Sequence, residues 1–367
     1  MPPRPSSTGS EGVLVSVLTP PGRGALAVVG VAGGRAAVIV DRLFVVRSGR
    51  PVAAREDGSI VYGTWRATGE DVVAVRRGAD VVEVHCHGGV AAGAAVTASL
   101  VAAGAAEVPW AAWLAAAGAR QTVVEAHEAL AGCGGPKAAR ILARQAAGGL
   151  DAAISHMHAL IEAGQPAAAA AARDRLLRAA RVGIRLVRPW RVVVAGLVNA
   201  GKSSLVNALA GHARSLVSPE PGTTRDLVTT RVVLDGWEVD LIDTAGFRDG
   251  GDVAGRVERA GIARAEAAAA DADLVLRVWP ADTGPRPEPR PGVEILVVSK
   301  IDLAPSARGW PADAVPTSVA TGTGITDLAA AIVARLVPEE RTDPDLLTGA
   351  VPFTTRQIEL IEEVVIR

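Results

Sequence analysis

Residues 191–204 read RVVVAGLVNAGKSS, and the order of residue types in this stretch sets the architecture around it. Val192 to Val194 are apolar and β-branched, the composition of a buried strand. Gly196, four further residues, and then Gly201, Lys202 and Ser203 follow, and SLVNALAG continues at helical spacing. Strand, glycine-bearing turn and helix in this order make a cradle for phosphate. The glycines let the backbone wrap the anion, while loop amides and the helix N-terminus supply positive ends. Asn199, Ala200, Gly201, Lys202, Ser203 and Ser204 would line it, with the Lys202 ammonium at the β- and γ-phosphates and the Ser203 hydroxyl on Mg²⁺. The loop by itself leaves one alternative open, a glycine-rich turn that only packs.

Segments downstream close that alternative. GTTRD, residues 222–226, places Thr223 and Thr224 in a loop able to fold over Mg²⁺ and γ-phosphate. LIDTAG, residues 241–246, ends an apolar strand with Asp243, suited to holding the metal through water, and Gly246, whose amide can sense the γ-phosphate. VVSKID, residues 297–302, follows another apolar strand and carries Ser299, Lys300 and Asp302. The Asp302 carboxylate can accept two hydrogen bonds from guanine N1 and N2, which adenine does not offer. The segments together give a Mg-GTP site. It sits in an α/β domain over residues 189–337, where strand-like runs at 191–195, 228–234, 237–242, 273–279 and 293–298 alternate with helical ones.

The rest of the chain is a multidomain α/β protein. Its 367 residues suffice for two or three domains. Basic and acidic residues number 38 and 39, so no global basic field points to nucleic acid, and aromatics at 3% leave few stacking platforms. Cys86 and Cys133 cannot make a disulfide framework, and MPPRPSSTGS lacks the charged start and apolar run of an export signal. A reducing cytoplasm is the expected location. The longest uncharged run, Gly88 to Ala106, is mostly Ala and Gly, which predicts helix and core rather than a membrane span. Residues 1–10 read as a disordered tail and 11–118 as an α+β domain, with short Val- and Leu-rich strands, a strand pair at SIVYGTWRA and DVVAVRR, a strand at DVVEVHCHGG and a helix over 90–103. Residues 119–188 read as a helical domain turning at Pro166, and 338–367 as a linker, VPEERTDPDLLTGAVP, followed by the start of a helix. His85 and His87 of HCH share a strand face, but no further ligands stand at zinc spacing, so core or pocket histidines are expected.

GLVNAGKSSLVNALAG, SPEPGTTRD, DTAGFRD and SKIDL closely resemble the GTPase domain of the tRNA modification GTPase family MnmE (TrmE). VSVLTPPGRGALAVVGVAG and ADVVEVHCHGG resemble that family's N-terminal domain, so the likeness covers nearly the whole chain and is weakest over the helical region. It implies a Ras-like P-loop GTPase domain joined to an N-terminal α+β domain and a helical domain. The implied activity is potassium-stimulated GTP hydrolysis by a homodimer that pairs through its GTPase domains, in the service of wobble-uridine modification of tRNA with a flavoprotein partner of the MnmG type. By the resemblance, Asn199 is a K⁺ ligand, with Ser218, Glu220 and Thr223 beside it. Lys202, Thr224 and Gly246 take catalytic roles. The alternative for Asn199 is a brace within its own loop. Phe247 stands where Ras-like proteins carry a water-orienting glutamine, and Glu258 is the substitute the family implies; an exposed helix-start glutamate is its alternative. TSVATGTG, with Ser318, Val319 and Ala320, matches the segment whose backbone amide meets guanine O6.

Departures from the family pattern bear on function. Ser299 replaces the usual Asn of the base motif, and Val319 the usual Ala. ADTGPRPEPRPG, between the runs at 273–279 and 293–298, is too rich in proline for the helix that normally crosses over between parallel strands. The family's N-terminal domain binds a one-carbon tetrahydrofolate. Glu83 matches a folate-contacting carboxylate and Arg120 stands near a basic position, but Gly30 replaces an expected arginine. The sequence ends at Arg367 without the family's cysteine-bearing tail. An alternative function is therefore a divergent paralogue that acts as a GTP-dependent regulatory or scaffolding switch without tRNA-modifying activity.

Overall fold

The computed structural model describes residues 12–22, 24–47, 49–212, 228–244, 271–283, 292–304 and 310–364. Met1–Glu128 and Ala129–Arg367 form separate units.

In the first unit, strands β1 (Val13–Val17), β2 (Leu26–Ala32), β3 (Phe44–Val46), β4 (Ile60–Trp65), β5 (Asp71–Arg76), β6 (Val81–His87) and β7 (Ala105–Glu107) form one sheet in the order β3-β4-β5-β6-β2-β1-β7. Alternation decides its faces. Val29 and Val31 of β2, and Val82, Val84 and Cys86 of β6, point into a core shared with helices α1 (Ala36–Leu43) and α2 (Val90–Ala102). The Trp65 indole is fully buried there and donates to Ser99 Oγ of α2 at 2.9 Å. The residues between, including Glu83, His85 and His87, fall on the opposite face. His85 Nε2 lies 3.1 Å from Glu83 Oε2 and His87 Nδ1 lies 3.0 Å from Glu70 Oε1. Of the core or pocket places expected for the two histidines, the core is taken by Cys86 alone, the one residue of HCH with the inward parity. Two short helices escape the strand-rich reading of this region: α1 and α3 (Trp110–Ala116). AAVIVDRL contains β-branched residues, yet Ala36, Ala37, Ile39 and Val40 are the ones buried, one face of a helix. Helix α4 (Gln121–Gly132) runs on across the unit boundary.

The second unit begins with α5 (Pro136–Ala146), α6 (Gly149–Glu162) and α7 (Pro166–Gly183). A six-stranded sheet follows, built of β8 (Trp190–Gly196), β9 (Val228–Leu234), β10 (Trp237–Asp243), β11 (Leu274–Pro280), β12 (Glu294–Ser299) and β13 (Val315–Pro316) in the order β13-β12-β11-β8-β10-β9. All neighbours are parallel except β9 and β10, an antiparallel hairpin. Its turn, Asp235–Gly236, has φ of 45° and 85°, the left-handed pair of a two-residue hairpin. Helices α8 (Lys202–His212) and α9 (Ile325–Leu336) bury Leu205, Leu209, Leu328 and Ile332. After α10 (Glu339–Thr342), α11 (Thr355–Glu362) returns to the helical segment, where Leu150, Ile154, Leu176 and Ile361 form one cluster. Its first turn is capped by Thr354, whose hydroxyl accepts from Gln357 N.

The stretch expected as a linker is fastened along its length. Arg181 pairs with Glu339 at 3.1 Å, Arg175 donates to Asp345 O at 2.7 Å, and Arg144 donates to Leu347 O at 3.1 Å. Leu346, Leu347 and Val351 are buried. Among the described residues no helix is long and apolar enough to cross a membrane.

Candidate nucleotide site

The carboxyl ends of parallel strands β8, β10, β11 and β12 converge where the strand order reverses about β8, the place where open α/β sheets bind ligands. At Gly196, β8 passes so close to β11 that a Cβ would sit 2.2 Å from Val278 O, and φ is 153°. Only glycine fits there. The loop then turns through Asn199 at φ 62°, a left-handed conformation that asparagine tolerates better than most residues. Lys202 begins α8. It is buried, and its ammonium donates to Gly196 O at 3.1 Å and Leu197 O at 2.8 Å, closing the loop on itself. Ala200 is buried beneath the loop, while Asn199, Ser203 and Ser204 are exposed at its rim.

Asp243 ends β10 beside Val194 of β8 and is only 6% exposed. Thr244 Oγ1 donates to Val194 O at 2.8 Å and ties this strand end to the phosphate-loop strand. Among the described residues no three His, Cys, Asp or Glu side chains cluster as a metal cage. A carboxylate at the end of β10 and a hydroxyl at the start of α8 are instead oxygen donors of the kind Mg²⁺ takes when phosphates and waters complete its shell, so these residue types fit that ion.

The base side is built from β12 and the segment after β13. Ser299 is buried, and its hydroxyl donates to Ala200 O at 2.8 Å, so the residue replacing asparagine still braces the phosphate loop. Lys300 adopts φ 57° and turns the chain so that Asp302 faces outward. Ser318, fully buried, donates to Asp302 Oδ1 at 2.5 Å and fixes the carboxylate plane, a hydroxyl role that the sequence did not disclose. Val319 and Ala320 follow on the exposed loop. Of the described residues with left-handed φ that are not glycine, Asn199 and Lys300 lie in this site and Asp235 at the hairpin tip. Ser218, Glu220, Thr223, Thr224, Gly246, Phe247 and Glu258 lie outside the described residues, as does most of the ADTGPRPEPRPG connection.

A second set of sequence-matched residues sits in the first unit. Gly30 and Glu83 are partners in the β2–β6 ladder. Glu83 Oε2 accepts from Arg77 Nε at 2.9 Å. A Cβ at Gly30 would meet the Trp113 ring at 2.5 Å and Leu18 Cδ1 at 2.9 Å. Trp113 is 5% exposed, and its indole N–H is buried without an acceptor. The indole therefore fills the space into which an arginine at position 30 would project. Arg120 lies exposed just before α4. At this position Trp113 lies over Gly30, while the Glu83 carboxylate meets Arg77 and His85.

Residues 191–298 match the family model described as 50S ribosome-binding GTPase. Three similar curated proteins are each named tRNA modification GTPase MnmE. That of Symbiobacterium thermophilum is 34% identical, with 96% of this chain and 87% of the relative covered. That of Parasynechococcus marenigrum is 33% identical, covering 88% and 80%. That of Acidiphilium cryptum is 37% identical, covering 71% and 65%. The motifs, the geometry of the phosphate loop and likeness over nearly the full length agree, and the chain belongs to the MnmE family of tRNA modification GTPases, as a GTP-hydrolysing enzyme.

Proposed function

We infer that this chain is a Mg²⁺-dependent, K⁺-stimulated GTPase of tRNA wobble-uridine modification. The observation that carries the reading is the closed phosphate loop, with Lys202 on two loop carbonyls, Ser299 on a third, and buried Asp243 beside them. GTP binding would draw the Lys202 ammonium from those carbonyls to the β- and γ-phosphates. Ser203, Thr224 and Asp243 would hold Mg²⁺ in this reading, and the ion would supply positive charge against the phosphate oxygens. Asn199, Ser218, Glu220 and Thr223 would hold K⁺, supplying the positive charge that an arginine finger would otherwise bring. In this reading Gly246 would sense the γ-phosphate, and Glu258 would orient the attacking water. Asp302, set by Ser318, selects guanine.

The reading includes the domain division at residues 118, 188 and 337, a homodimer paired through its GTPase domains, a cytoplasmic location, and tRNA with an MnmG-type flavoprotein as partners. GTP turnover compared in KCl and NaCl at equal ionic strength, over a range of protein concentrations, tests it. Stimulation by K⁺ that grows with concentration is expected; slow turnover indifferent to salt and concentration would contradict it. The indole seated over Gly30 favours a second reading, in which the GTP switch persists as a regulatory module while the one-carbon chemistry of the N-terminal domain is lost. Incubating the chain with its flavoprotein partner and tRNA separates the two, since only the first reading yields modified uridine.

A further inference from the structure

The β9–β10 hairpin connects the two segments that read the nucleotide. β9 starts just after GTTRD, and β10 ends in Asp243. Each residue from Val228 to Leu234 is paired with one from Asp243 to Trp237, so the hairpin is one continuous ladder. Its far end is gripped by residues distant in sequence. Lys137 Nζ lies 2.9 Å from Asp235 Oδ2 and 2.9 Å from Glu340 Oε1. Trp237 Nε1 donates to the same Glu340 oxygen at 3.1 Å, and Lys137 N donates to Gly236 O at 3.2 Å. Separately, Glu238 Oε1 accepts from Gly134 N at 2.5 Å and Gly135 N at 3.1 Å, placing a carboxylate on the open amides at the start of α5. The fit is close: a Cβ at Gly135 would stand 2.7 Å from Gly236 O.

A paired strand resists stretching, and Glu238 and Asp243 lie five positions apart, about 17 Å of extended chain. A shift of Asp243 along the strand must therefore displace Glu238 by a similar amount. Hydrogen bonds of the observed lengths are lost within roughly 1 Å of added separation. The parallel pairing of β10 with β8, from Val239↔Trp190 to Asp243↔Val194, guides motion along the same direction.

We propose that Lys137, Glu238 and Glu340 are positioning residues for GTP hydrolysis: by clamping the tip of the β9–β10 hairpin to the helical segment, they set the position of Asp243 at the metal end of the nucleotide site. This rests on the assignment of Asp243 to Mg²⁺. The clamp makes hydrolysis depend on where α5 and α10 stand, and makes α5 and α10 respond to the nucleotide.

The test is steady-state hydrolysis by the full chain carrying Lys137→Met, Lys137→Arg, Glu238→Gln or Glu340→Gln, with GTP and Mg²⁺ varied independently. Lys137→Met and Glu238→Gln are expected to lower kcat and raise the half-saturating Mg²⁺ by about 3- to 10-fold. KM for GTP, governed by the phosphate loop and Asp302, should change less than about 2-fold, and Lys137→Arg should restore the wild-type values. The double substitution should be no worse than the poorer single one, because both act on one lever. If Lys137→Met folds poorly, Glu340→Gln reports on the same clamp without altering α5 or the hairpin. Folded variants with wild-type kcat and Mg²⁺ dependence would overturn the clamp alone. A wild-type chain whose hydrolysis ignores Mg²⁺ would overturn the metal assignment and the clamp with it.

Discussion

Two sheet surfaces carry residues that depart from the pattern the family resemblance implies, and they differ in what surrounds those residues. At the nucleotide end of the second sheet, Ser299 lies where the family resemblance implies an asparagine, and its hydroxyl donates to Ala200 O. On the first sheet, Gly30 lies where the family resemblance implies an arginine, and Trp113 packs over it. A substitution that keeps a donor at the right distance preserves a site, whereas one that removes a side chain beside a large apolar neighbour lets the core close over it. Identity of motif spacing cannot distinguish the two cases, because both preserve the strands.

The sharpest break in the comparison comes from Lys202→Ala. It removes both the clamp on Gly196 and Leu197 carbonyls and the phosphate charge, so kcat/KM for GTP should fall by about 100-fold or more. Retention of activity within 10-fold would mean that the loop does not hold phosphate. Next in size is Trp113→Ala, which empties a buried site and should destabilise the first unit by about 3 kcal/mol or more in urea unfolding, while leaving GTP turnover unchanged. A smaller effect is expected from Gly30→Arg, about 1–3 kcal/mol of overpacking against the indole; a neutral result would show that the indole swings aside easily. Ser299→Ala should weaken nucleotide binding by roughly 5-fold, the value of one hydrogen bond, and fluorescent nucleotide titration would measure it.

The smallest effect concerns pH. Burial lowers the Lys137 pKa, but hydrogen bonds to Asp235 and Glu340 outweigh it and leave the ammonium above its ordinary value of 10.5. A raised folded-state pKa stabilises fully below the unfolded value and is lost as pH climbs through the folded one. The melting-temperature difference between wild type and Lys137→Met should therefore stay constant from neutral pH to about 9 and shrink only above the ordinary lysine range. A difference that vanishes already near neutrality would remove Lys137 from the clamp.

Much of the second sheet was legible because parallel strands buried on both faces read as unbroken apolar runs, as in Val192–Val194 and Ile295–Val298. The phosphate loop, Asp243 and Asp302 were legible from spacing. Helix α1 was not, since local β-branched propensity argued for strand and only the burial of Ala36, Ala37, Ile39 and Val40 settled it. The segment around Leu346 and Leu347 carried Asp, Pro and Gly enough to read as a linker, and the arginines that hold it come from α5 and α7. Contacts such as Lys137 with Asp235, or Trp113 with Gly30, join residues far apart in sequence and leave no periodic trace.

The most direct test of the contrast is calorimetric titration of one preparation of the full chain, first with a non-hydrolysable GTP analogue and Mg²⁺, then with a formyl-tetrahydrofolate. Saturable binding of the nucleotide and no heat from the folate are the predicted results. Saturable folate binding would contradict the account, because it would place a ligand where Trp113 now packs on Gly30.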